Sequence, residues 1–122
     1  MEGHLTYLAV PYTSRHPEVE EARYRAVSAV AAAIMGTGEF VFSPITQGHV
    51  LAKFGGLPTD WEFWAAYSRA MLSRCQLLAV LMLDGWKESV GVQAEIGIAV
   101  ELGIPIEYVQ PPEFKVIDER LH

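Results

Sequence analysis

Leu77-Leu78-Ala79-Val80-Leu81-Met82-Leu83, then Asp84-Gly85-Trp86, then Ser89-Val90-Gly91-Val92-Gln93-Ala94-Glu95-Ile96-Gly97 is the stretch whose reading decides the fold. An apolar run without polar alternation predicts a strand buried on both faces, the habit of parallel sheets. The Asp-Gly-Trp turn leads into a helix with Ser89 at its N-cap, and Gly103 stops that helix before a further strand over Ile104–Val109. On a helical wheel of about 100° per residue, Glu95 falls between Leu102 and Ala99, beside Val92 and Ile96, while Gln93 and Glu101 fall opposite. Glu95 is therefore expected to face inward, unless the helix is rotated enough to expose it. A half-buried carboxylate without a nearby cation is costly or shifts its pKa, so it calls for a structural partner or a chemical use.

Working outward, Thr6–Val10 reads as a first strand, and Pro11-Tyr12-Thr13-Ser14 leads into a helix with Pro17 in its first turn. Glu18, Glu20 and Glu21 suit the positive end of that helix. Its buried face is expected along Val19, Ala22, Ala26, Val30 and Ala33, with Val27 and Ile34 alongside, and Gly36 and Gly38 end it. Phe40–Phe42 reads as a second strand. Ser43–Pro58 reads as a long functional loop holding one helical turn near Val50–Lys53. Thr59 or Asp60 caps a third helix running to about Arg74, with Trp61, Trp64, Ser68, Met71 and Leu72 near one face. Pro111-Pro112 opens a tail with a short segment around Val116 and Ile117.

Alternating strands and helices predict a single α/β domain over residues 1–122, with its core at 5–109 and a tail at 110–122. The simplest arrangement is a flavodoxin-like, Rossmann-like, doubly wound parallel sheet of four to five strands with helices on both faces. Ligands of such sheets bind beyond the carboxyl ends of the strands, where the strand order reverses. Three loops are expected to converge there: Pro11–His16, Ser43–His49 and Asp84–Gly91.

Half of the 122 residues are apolar, enough for a real core. No apolar run is long enough to span a bilayer and no secretory signal is visible, which predicts a cytoplasmic protein without a membrane partner. The formal charge of −6 argues against polynucleotide binding, although a small phosphorylated ligand needs only local donors. The single cysteine, Cys75, is read as packing at a helix end rather than reacting. No GxGxxG or GxxxxGK[ST] loop and no Ser-His-Asp elbow is present, which disfavours dinucleotide oxidoreductases, P-loop hydrolases and serine hydrolases.

Ser89 and the helix-start amides around Gly91 outline an anion site, or else an ordinary N-cap. Glu95 lies about one and a half turns further in, a separation that suits a sugar attached to the anion. Glycosyl transfer needs a carboxylate for an oxocarbenium-like sugar and a partner that holds it; Tyr7 is the candidate partner, or a core tyrosine under the loop. His49 is either a donor to base or phosphate or an incidental loop histidine.

Tyr7-Leu8-Ala9-Val10-Pro11-Tyr12, the Leu77–Leu83 strand, Ser89 to Ala99, and Gly103-Ile104-Pro105-Ile106 together resemble the nucleoside 2-deoxyribosyltransferase superfamily over roughly residues 5–109. The similarity is to a branch with Gly85-Trp86 after the third strand, close to the nucleoside 5′-monophosphate N-glycosidases. The resemblance implies that Glu95 is the nucleophile and that Tyr7 orients it. A serine at position 89 implies phosphate binding, with Tyr12, Thr13 and Ser14 of the first loop assisting. It also implies a homodimer or higher homo-oligomer. Trp61, Phe63 and Trp64 form a cluster too dense for one helix face to hide, so some of it is expected to meet another subunit or else to fold over the long loop. No metal or organic cofactor is implied. One departure stands out: Ser68 occupies the position of the family's leaving-group aspartate. A nucleotide-binding sensor on the same scaffold is therefore the alternative to an enzyme.

Overall fold

Alternate residues along the central strands feed two separate cores. The computed structural model describes residues 3–112. Four strands, β1 (Leu5–Ala9), β2 (Phe40–Phe42), β3 (Leu77–Leu81) and β4 (Ile106–Val109), form one parallel sheet in the order β2-β1-β3-β4. Four helices cover it: α1 (Pro17–Gly36), α2 (Pro44–Gly55), α3 (Trp61–Leu72) and α4 (Val90–Leu102). Leu8, Ala79 and Leu81 pack with Val27, Val30 and Ala31 of α1 on one face. Tyr7, Ala9, Leu78 and Val80 pack with Leu72 of α3 and with Val92, Ile98 and Ala99 of α4 on the other. The fold is thus the expected flavodoxin-like doubly wound sheet, with helices on both faces. After β2 the chain crosses back past β1 to β3, so the strand order reverses between β1 and β3.

The main departure from the sequence expectation is α2. The segment read as a loop with one turn at 50–53 is a twelve-residue helix. Pro44 starts it with a fixed φ after extended Ser43, and Gly56 closes it at φ 65°, its N–H bonded to the Ala52 carbonyl. The helix was hidden because its apolar pattern is weak: Pro44, His49 and Ala52 are buried, whereas Val50, Leu51 and Phe54 face outward.

The inward face of α1 is also rotated from expectation, with Val27, Val30 and Ala31 buried and Ala22 and Ala33 exposed. Alanine gains little from burial, so the larger Val27 and Ile34 set the face. On α4, Val92, Glu95, Ile98 and Ala99 are buried, but Leu102, in the last turn before the Gly103 cap, is exposed. α3 starts on an Asp60 cap, whose carboxylate accepts the Phe63 N–H, and ends at Leu72 rather than Arg74. β3 stops at Leu81 and β4 begins at Ile106, each two residues inside its expected limit. The expected segment around Val116 and Ile117 lies outside the described residues. No helix among those residues is long and apolar enough to cross a membrane.

Candidate active site

The carboxyl ends of β1 and β3 open into a cavity of about 790 Å³, walled by the loop after β1, α1, α2, the start of α3, the turn before α4, and α4 itself. That volume lies within the usual range for small-molecule sites. All three loops expected to converge contribute to it, through Pro11–Thr13, through Gly48 and His49, and through Gly85 and Glu88–Gly91.

Strand parity carries Tyr7 to the α4 side of the sheet, where its hydroxyl donates to Glu95 Oε2 at 2.5 Å. Tyr7 lies in the middle of β1 and does not line the cavity; Glu95 does, although only 6% of it is exposed. Among the described residues Glu95 makes no ion pair. Burial pushes its carboxyl up to about 7, and the Tyr7 hydrogen bond offsets part of that rise. Tyr7 itself is held well above the usual tyrosine range by burial and by the facing Glu95. The pair is therefore a desolvated carboxylate held in one rotamer at the edge of a ligand-sized space. It is an arrangement able to attack an electrophilic carbon.

Ser89 caps α4, accepting the Val92 N–H at 3.2 Å, and lines the cavity with Gly91. Capping uses the oxygen as acceptor and leaves its proton free to donate, so cap and anion donor are compatible roles. A Cβ at Gly91 would meet the Trp61 ring at 3.5 Å, which places Trp61 against the helix start. Thr13 lines the cavity while donating to the Thr59 carbonyl at 2.9 Å.

Ser14 stands apart from the other first-loop candidates. It is not part of the cavity wall: its N–H goes to Glu20, and its hydroxyl accepts the His16 N–H, which fixes the loop. Tyr12 and His49 do line the cavity, but their polar atoms are paired with protein. The Tyr12 hydroxyl meets His49 Nδ1 at 2.6 Å, and His49 Nε2 meets Glu21 Oε1 at 2.9 Å. Direct donation from His49 to base or phosphate is thereby replaced by a fixed Glu21–His49–Tyr12 chain.

Arg23 was missed from the sequence, where a helix arginine reads as solvated surface. It lines the cavity and spans the switch point, donating to the carbonyls of Tyr12 and Thr13 at 3.2 and 3.3 Å and of Asp84 at 3.2 Å. Gly85 makes room for it: at φ 92°, a Cβ there would stand 2.8 Å from Arg23 Nη2. The only sequence signal was a cation two turns into the helix that follows the first loop.

Ser68 is buried, lines the cavity and adjoins the Tyr7 hydroxyl, acting against its upward shift. Trp61 and Trp64 form part of the cavity wall, with Trp64 Nε1 donating to the Pro58 carbonyl at 2.7 Å, while Phe63 faces outward. Cys75 is buried against the α3–α4 core, as expected, and burial pushes its thiol up to about 11.

Residues 4–110 match the family described as domain of unknown function DUF1937. No curated protein matches the chain.

Proposed function

We propose that this chain, which belongs to the DUF1937 family, cleaves the N-glycosidic bond of a (deoxy)nucleoside 5′-monophosphate or nucleoside through a glutamate nucleophile. The observation that carries the proposal is Glu95, buried at the cavity wall and held by Tyr7 at 2.5 Å. Its carboxylate attacks C1′ as the base departs, forming a glycosyl ester, and water then displaces Glu95. If a second base outcompetes water, the same site is a transferase. Ser89, the first amides of α4 and Arg23 supply donors for a 5′-phosphate at a positive helix end. The sequence resemblance to the nucleoside 2-deoxyribosyltransferase superfamily supports the same roles for Glu95, Tyr7 and Ser89.

Incubation with a panel of nucleosides and 5′-monophosphates, followed by detection of free base, tests the activity. E95Q is expected to bind the same ligands and release no base, because the amide keeps the shape without the nucleophile. Normal turnover by E95Q would overturn the assignment. The second reading, a nucleotide-binding sensor, is favoured by buried Ser68 standing where the resemblance leads one to expect an aspartate. Tight binding of a monophosphate by wild type with no base release would establish it. Assembly into a homodimer or larger homo-oligomer belongs to the same proposal, as does a cytoplasmic location.

A further inference from the structure

We propose that Tyr12 hands the proton to the departing base, with His49 and Glu21 lined up behind it as its positioning pair. The inference rests on the glycosidase reading above and answers the question that Ser68 raises: where a leaving-group acid is found. Three elements contribute one member each. Tyr12 comes from the loop after β1, His49 from α2 and Glu21 from α1, joined at 2.6 and 2.9 Å. His49 is 6% exposed, and its ring is stacked on Tyr24 at 4.1 Å between centroids, 21° from parallel. Tyr12 and His49 line the same cavity as Glu95. A buried Tyr12–His49 pair at the wall of a ligand-sized space is expensive to maintain for packing alone.

The charges around the chain are Glu20, Glu21, Arg23 and Arg25 from α1 and Lys53 from α2, with Arg23 donating to the Tyr12 carbonyl at 3.2 Å. Glu21 also meets Arg25 at 2.9 Å and Lys53 at 3.3 Å, and Glu20 accepts from Ser14 and Thr59. Glu21 is kept ionised, below its ordinary value, first by its His49 hydrogen bond and then by Lys53. Burial, then Glu20 and Glu21, push the Tyr12 hydroxyl up to about 12, so it remains a proton donor at neutral pH.

In the first step the C1′–N bond breaks as Glu95 bonds to C1′, and the bond's electron pair goes to the base nitrogen. That nitrogen takes the Tyr12 proton, and the Tyr12 oxygen takes the Nδ1 proton of a His49 imidazolium whose charge Glu21 balances. In the second step water attacks C1′ and Glu95 leaves as carboxylate. The water's proton passes to the Tyr12 oxygen and the Tyr12 proton to Nδ1, which restores the starting state.

Leaving-group dependence separates proton delivery from simple pinning of the loop. The probes are 2′-deoxyguanosine 5′-monophosphate and its N7-methyl cation, together with 2′-deoxyuridine 5′-monophosphate and its 5-fluoro derivative. In each pair the second base departs with less need of a proton. Y12F is expected to lower kcat on the ordinary member of the accepted pair by about 10²–10³, with KM little changed, and to leave the activated member close to wild type. E21Q, altering a part-exposed surface carboxylate, is expected to show the same selective loss at smaller size. Equal losses on both members of a pair, in Y12F or in E21Q, would overturn the relay. E95Q separates the two proposals: it is expected to be inert on both members. If E95Q is inert and Y12F loses both equally, the relay alone falls. If wild type releases base from none of these four and from no member of the wider nucleoside and monophosphate panel, both proposals fall.

Discussion

Glu95 is a carboxyl whose environment opposes its charge, which gives the residue a thermodynamic signature independent of substrate. Its folded value, about 7, lies above the ordinary 4.5. Between those values the native state holds a proton that the unfolded chain has released, so this group's contribution is fully present below about pH 4.5 and is lost as pH rises toward 7. The loss is on the order of 3 kcal/mol. E95Q is therefore expected to match wild type in stability near pH 4.5 and to exceed it at pH 8. Urea denaturation at the two pH values measures the gap, and a gap unchanged by pH would contradict the buried-acid description. Tyr7 acts on the same equilibrium from the other side. Y7F removes the hydrogen bond that favours the ionised form, so the rising limb of base release against pH should move upward. An unmoved limb would return Tyr7 to a packing role.

At the scale of elements, α4 begins where two jobs coincide. Ser89 satisfies the Val92 N–H, so S89A should cost about 1 kcal/mol of stability as a lost cap. It should also remove part of the preference for a monophosphate over the matching nucleoside, which wild type is expected to show by about one to two decades in affinity. The backbone donors of α4 remain in the variant, so the preference should shrink and not vanish. Titration calorimetry of one matched pair on both proteins measures it; equal wild-type affinities would move the substrate class to free nucleosides. The turn after β3 offers an independent check. G85A forces an alanine to φ 92° and places its Cβ against the Arg23 guanidinium, so it should lose about 1–2 kcal/mol of stability. It should also weaken monophosphate binding more than nucleoside binding. Unequal weakening in the opposite sense would remove Arg23 from the phosphate site.

At the scale of the whole molecule, α2 packs on α1 and presents Phe54, 89% exposed, beside Leu51 and Val50. If this chain assembles as proposed, F54S should leave thermal unfolding nearly unchanged and shift sedimentation toward monomer; a wild-type monomer would end the oligomer proposal. Much of the architecture was readable in advance. The unbroken Leu77–Leu83 run marked a central parallel strand, Gly103 marked the end of α4, and the position of Glu95 beside Val92, Ile96 and Ala99 marked an inward carboxylate. These are local patterns, and burial leaves its trace in the spacing of neighbouring side chains. Other features had no local trace. α2 was missed because its outward face is as apolar as its inward one, and the face of α1 was misplaced because alanines carry little burial signal. Tyr7 and Glu95 stand 88 positions apart, and Tyr12 and His49 stand 37 apart. Arg23 reaches a carbonyl 61 positions away, across the switch point. The chain's pattern determined which residues turn inward. Which inward residues meet was decided by the β2-β1-β3-β4 order and its register, because a hydrogen bond depends on distances that only the assembled sheet sets.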